Sequence, residues 1–556
     1  MVNVKNLFGM AVMATALVGC SSNDNLAPDG KDNVGKTGEA YASFTINLPT
    51  TSGTRADEPG TPSFAEGEAK EYEVKNGTIL IFTNEGNFVT SAQLGNMNPW
   101  KDIKTDGVTT AATATVKLSG VTVGGNYQAL VLLNNDVDAS TSKVKLPTAG
   151  ESYATWSAKA ENATAAYTKT DYIFMANAPK YTDASAEPTT LVPVANICAS
   201  REQAEAKAAT TVYVERGLAK VTMQKFNADG YAIAAGTYKG DKVEIKAWQL
   251  DVTNKSTFPV HQTSSLTDGF ANIWSTPRFY DGDNKTFKRV YWGVDPNYSD
   301  ATLQNLIACK DAFNMIGKDD IAGKTGNDHP QYCLENTFDL ANMMQGQTTR
   351  VVFKAVFTPK DFTTGQTFYK IGNNTAIWDA TKLAQQIHTV AVTAMGITDA
   401  VERENYVVKL DASTNNISGT AGLHTITAAN IEYKGTGTSL VAANIDKINE
   451  KLGLKETGIS TYLNGEAYYI ARIKHFNELT PWTAGEGYGT ANDKYLGRYG
   501  VLRNNWYDLS VNSISGLGYP DIPEVKPDVP DDENKQYINV EVKILDWAKR
   551  SQSIDL

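Results

Sequence analysis

The chain has 556 residues and a formal net charge of −11, spread along its length. That balance argues against nucleic acid or an anionic membrane surface as a partner, and the length calls for two domains or more. Aromatic residues make up 10% of the chain, and 26 Tyr with 44 Gly favour strands and turns over helical bundles.

Residues 1–20 read as a lipoprotein signal. Lys5 supplies a basic start, an apolar run covers Leu7 to Val18, and Leu17-Val18-Gly19-Cys20 forms a lipobox that would leave Cys20 lipidated. The apolar run is too short to span a bilayer. No later segment approaches that length, so membrane contact is expected only through the lipid. Residues 21–55 form a propeptide in this reading, opening with a polar, Gly-rich spacer. Within it Ala42, Phe44, Ile46 and Leu48 alternate with Ser43, Thr45 and Asn47, the pattern of a strand with one buried face. A polar loop follows. Arg55 is the first basic residue after Lys36 and precedes Ala56, a site an Arg-specific protease would accept in extended form.

Strand patterns continue over Gly77–Phe82, Ala112–Leu118, Tyr127–Leu133 and Tyr172–Ala176. A further strand with a Gly break covers Val212–Met223, and the domain boundary is placed there. The chain divides into an N-terminal domain, 56–211, and a C-terminal domain, 212–518. The second has strands at Lys242–Val252, Thr349–Phe357, Ala467–Ile473 and Trp506–Ile514. Helical patterns interrupt it at Asp300–Phe313, Asp379–Met395 and Ala442–Leu452. The stretch Gly365–Lys455 reads as an elaboration of its sheet core.

The chemistry of sites is thin. The five histidines show no metal-ligand spacing, and no nucleophile elbow or phosphate loop of correct spacing occurs. No enzymatic activity and no cofactor or metal are expected. With Cys20 lipidated, Cys198, Cys309 and Cys333 remain. Cys309 and Cys333 are the expected bridge in an exported chain, with three buried free thiols as the alternative. Trp248, Trp274 and Trp292 suit sugar stacking, but aromatic side chains more often fill β cores.

The end of the chain carries the strongest pattern. Residues 519–536 contain Pro520, Pro523, Pro527 and Pro530 and a charged run, which predicts an extended, solvated linker. In 537–556, Ile538, Val540, Val542 and Ile544 alternate with polar residues, a strand with no partner of its own in sequence. A strand on such an arm is placed to complete a neighbour's sheet. The alternation slips at Leu545, which leaves Leu545 and Trp547 open.

Together these stretches resemble the fimbrillins of type V pili, close to the short-fimbria shaft type. The resemblance is carried by the lipobox, the Ala40–Leu48 strand, Thr54-Arg55-Ala56, Val214–Val221, Glu335-Asn336-Thr337, Thr348–Pro359, Arg503–Tyr507 through Gly518, and Val540–Trp547 to Leu556. It implies a mainly β protein of two tandem transthyretin-like β-sandwich domains, the second elaborated with short helices, plus a C-terminal donor strand. It further implies outer-membrane lipoprotein export and cleavage after Arg55 by an Arg-specific protease. Loss of the strand with Ala42, Phe44, Ile46 and Leu48 would open a groove for a neighbour's Ile538–Ile544. The partners so implied are other copies of the chain and the anchor and tip subunits of a surface fimbria. Two other readings stand beside it: a monomeric surface lipoprotein that binds glycans, and a tip adhesin of the same pilus.

Overall fold

The computed structural model describes residues 37–49, 67–95, 101–105, 108–136, 141–162, 167–181, 188–263, 288–290, 292–321, 329–455, 457–475, 495–531 and 538–546. Cys20, Arg55, Ala56, Trp274 and Trp547 lie outside them.

The N-terminal sheet runs, in spatial order, Phe88–Gln93, Gly77–Thr83, Tyr127–Leu133, Met175–Asn177, Thr210–Arg216, Thr37–Pro49, Val108–Thr122 and Lys101–Thr105. It closes on its own core. Phe44 and Ile46 of the first strand and Val116 and Leu118 of its neighbour pack with Ile79, Ile81, Val131 and Leu133 from the other half. The Gly77–Thr83 strand is buried along nearly its whole length. Its second face, through Leu80 and Phe82, packs with Leu130, Trp156, Tyr167 and Phe174. Burial on both faces explains why its sequence is a continuous apolar run and not an alternation.

The Val212–Met223 pattern is two strands that join different sheets. Val212–Arg216 belongs to the N-terminal sheet, pairing with the first strand and with Met175–Asn177, while Ala219–Met223 belongs to the next sheet. The crossing is at Gly217, where a Cβ would stand 3.0 Å from Phe174 Cδ1 and 2.5 Å from the Tyr167 hydroxyl. Only the absence of a side chain lets the backbone pass there. Periodicity could not separate the two strands because both are apolar and only two residues intervene.

The C-terminal domain is a sandwich. One sheet has the order Gln331–Cys333, Ala219–Met223, Asn505–Ile514, Ile538–Asp546; the other has Tyr231–Ala232, Lys242–Asp251, Arg350–Thr358, Glu466–Arg472. Val221, Tyr507 and Leu509 from the first meet Val243, Trp248, Val351, Phe353 and Tyr469 from the second. Trp248 and Trp292 are each 1% exposed, so both serve packing. The elaboration has a core of its own, where Leu383 and Ile387 of the helix Ala380–Ala394 pack with Ile448 and Ile459. The predicted Asp300–Phe313 helix is split in two. A 3-10 turn, Ala301–Gln304, is capped by Asp300, and the helix Leu306–Ala312 by Asn305.

Two expectations are overturned here. Cys309 and Cys333 form no bridge; both, with Cys198, are buried free thiols. They sit in different clusters, Cys309 beside Leu303, Phe313 and Val525, and Cys333 in the main sandwich core. Nearness in sequence carried no information about where two separate elements would pack. The second is the proline-rich linker, which over 519–531 is docked and not solvated. Tyr519 pairs with Tyr468 through two backbone hydrogen bonds of 2.8 Å, and Gln345 N–H donates to Val529 O at 2.9 Å. Arg350 Nη2 donates to Pro523 O at 3.1 Å. Proline removes donors but leaves every carbonyl free, so an extended Pro-rich strap still docks by accepting.

Candidate assembly site: the first and last strands

The first strand is central in its sheet. It pairs antiparallel along its length with Val108–Thr122, and parallel with Thr210–Arg216 through Phe44 to Asn47 opposite Thr210 to Tyr213. Ala40, Ala42, Phe44, Ile46 and Leu48 are each 0% exposed. The other face is polar. Ser43 Oγ donates to Ala204 O at 2.9 Å, beneath the short helix Arg201–Glu205, and Thr45 bonds Thr113 at 2.9 Å. Tyr41 exchanges backbone hydrogen bonds with Cys198. Removing this strand would leave an unpaired edge on each flank and uncover the core between them.

The last strand, Ile538–Asp546, is paired, which corrects the reading of it as partnerless. It lies antiparallel on Asn505–Ile514, with Val540, Val542 and Ile544 opposite Val511, Leu509 and Tyr507. A period-2 pattern identifies a strand and its buried face but not its neighbour, which tertiary register supplies. The shift in register between Val511 and Ser513 sets Ile538 opposite Ile514. Leu545 falls opposite Trp506. This strand ends its sheet.

The stretches between the two ends meet at the domain junction. Glu71 and Lys220 form a buried ion pair at 2.6 Å. The Tyr332 hydroxyl donates to the same Glu71 oxygen, and Arg216 Nε donates to Glu71 O at 2.8 Å. Lys220 Nζ stands 3.9 Å from the centre of the Trp506 ring, a cation–π contact. Burial works against the Glu71 carboxylate, but Lys220 and Tyr332 outweigh it and hold its pKa below the ordinary value. Nearby, Arg503 Nη2 pairs with Glu335 at 3.2 Å, and His261 bridges Glu215 at 2.9 Å and the Trp292 carbonyl at 3.0 Å. Sequence reading singled out Glu215, Arg216, Lys220, Glu335 and Arg503 only as parts of motifs. Their charges within apolar runs were the signal that they are buried and paired. Glu71 and His261 carried no such signal.

The architecture is thus mainly β, with a central first strand and an edge last strand. Residues 460–553 match the family of the major fimbrial subunit protein type IV, fimbrillin, C-terminal. Over those residues the chain is similar to the C-terminal part of fimbrillins. No curated protein matches the chain by sequence. Among solved structures, a candidate cell adhesion protein from Parabacteroides distasonis is similar at 10% identity, covering 93% of this chain and 99% of that one with a TM-score of 0.38. A fimbrilin from Porphyromonas gingivalis is similar at 10% identity, 92% and 99% coverage and a TM-score of 0.36. The tip fimbrial protein of Porphyromonas gingivalis, C-terminally truncated, has 10% identity, 92% and 99% coverage and a TM-score of 0.28. These likenesses are too low to decide the fold, which rests on the sheets described above.

Proposed function

We propose that the chain is a shaft subunit of a cell-surface fimbria, primed by loss of its first strand and joined to its neighbour through its last. The precursor is exported as an outer-membrane lipoprotein on Cys20 and cut after Arg55 by an Arg-specific protease. The observation that supports this reading is the place of the first strand: central in the sheet, fully buried on one face, and at the chain's N-terminal side. A single cut in the following segment frees it, whereas any other central strand would need two.

Burying Phe44, Ile46 and Leu48 stabilises the precursor by about 1.5–3 kcal/mol each as an upper estimate, with ladder hydrogen bonds added. An incoming strand with the same alternation restores those contacts. Ile538, Val540, Val542 and Ile544 of the next copy supply it. To do so that segment leaves its own Asn505–Ile514 strand, so assembly moves it from the edge of one sheet into the central gap of another. The fibre's other partners are its anchor and tip subunits.

The test is a chain ending at Asp531, compared with the full chain after limited trypsin treatment. The full chain is expected to form fibres whose subunits begin at Ala56, and the shortened chain to stay folded and monomeric. Fibres from the shortened chain, or mature subunits still beginning at Cys20, would sink the proposal.

A further inference from the structure

One end of the N-terminal sheet holds a cavity of about 140 Å³ lined by Lys75, Asn76, Asn134, Asp136, Lys143, Lys169, Asp171 and Tyr172. Its walls are the segments just before Gly77–Thr83, just after Tyr127–Leu133 and just before Met175–Asn177, so the sheet itself fixes their spacing. Side-chain amides stitch the rim together. Asn134 Oδ1 accepts from Lys75 N at 2.7 Å, and its Nδ2 donates to Glu73 O at 2.8 Å and Ile173 O at 2.9 Å.

Lys143 is the unusual member. It is 8% exposed, and its ammonium donates to the Tyr172 carbonyl at 2.6 Å. No carboxylate pairs with it among the described residues, and burial, with Lys169 nearby, lowers its pKa to about 8. Buried cations are ordinarily paired, so an unpaired one facing a cavity calls for an anion. Lys75 and Lys169 add positive charge at the mouth, against Asp136 and Asp171. Tyr172 is a second departure. Its backbone is left-handed at φ 57°, the residue is 39% exposed, and Lys75 Nζ lies 5.8 Å from the ring centre. A bulky side chain held in that conformation is strained, and its surroundings hold it there by bonding its carbonyl and the next one.

We propose that this cavity binds a single acidic sugar residue, its carboxylate on Lys143, its ring against Tyr172 and its hydroxyls on the rim carboxylates and amides. The size agrees, since drug-sized ligands need roughly 300–1,000 Å³ and this space holds one ring. The site is independent of strand exchange, and in a fibre it would repeat in every subunit, so weak single contacts gain by avidity.

The test is calorimetric titration of the monomeric full chain with sodium glucuronate, glucose and sodium acetate. Saturable glucuronate binding is expected, at least tenfold tighter than either glucose or acetate. Lys143→Met and Lys169→Ala should each weaken it, the first by tenfold or more, and Tyr172→Ala should weaken glucuronate without creating acetate binding. Glucuronate should also slow acetylation of Lys143, read by peptide mass, in the unmodified protein, which needs no variant to fold. Equal affinity for acetate and glucuronate, unchanged binding in Lys169→Ala, or no protection of Lys143 would overturn the proposal.

Discussion

Arg472 and Asp531, a residue of the docked proline-rich strap, form an ion pair whose side chains are 1% and 0% exposed. Thr348 donates to the same carboxylate. The pair holds the strap to the body of the domain ahead of the last strand. Asp531→Ala leaves a buried guanidinium without its partner, a loss of about 3–5 kcal/mol. Urea unfolding should show it, and amide exchange across Ile538–Asp546 should quicken by more than in the core.

Phe44→Ala tests the first strand in two states. In the uncleaved precursor it should cost about 3–5 kcal/mol, the usual effect of emptying a fully buried aromatic site. In fibres made from cleaved subunits the same substitution should have no effect on melting temperature, because that strand has gone. Equal destabilisation of both forms would show that the strand stays.

The pH dependence follows from His261. Burial pulls its pKa down, but the Glu215 carboxylate and its hydrogen bond outweigh that, and the pKa is raised above the ordinary value. Both ring nitrogens face acceptors, so the ring is held doubly protonated. A raised pKa means the contribution is complete below the unfolded value of about 6.5 and is lost as pH rises through the higher folded value. Urea midpoints should therefore fall on the alkaline side of about pH 6.5. His261→Gln should lower stability at acid pH and flatten that fall.

The thiols should be silent in the native protein. Burial pushes the Cys309 thiol up to about 11 and the Cys333 thiol up to about 12, so neither offers thiolate at neutral pH. Iodoacetamide should label them only after denaturation, and the mass of the intact protein should be the same with and without reductant before alkylation.

Much of this was legible from local pattern. The alternation Ala42-Phe44-Ile46-Leu48 predicted a buried face, and each of those residues is 0% exposed. Asp379 predicted the start of the helix Ala380–Ala394 and does accept from Lys382 N at 2.8 Å. The docked strap was not legible, because prolines and charges read as solvated wherever no partner surface is known. Its anchors, Tyr468, Arg350, Gln345 and Arg472, lie between 51 and 184 positions away from the residues they hold, beyond any local window.

Alone, then, the sequence determined which segments are strands and which residue types must be covered, since side-chain alternation and hydrophobicity act over neighbouring positions. Tertiary structure alone decided the order of the strands. It put the first strand in the centre of a sheet and the last at an edge, and it drew Glu71 and Lys220, 149 positions apart, into one buried pair. Backbone hydrogen-bonding groups are alike at every residue but proline, so which strand takes which neighbour is settled only when the side chains pack.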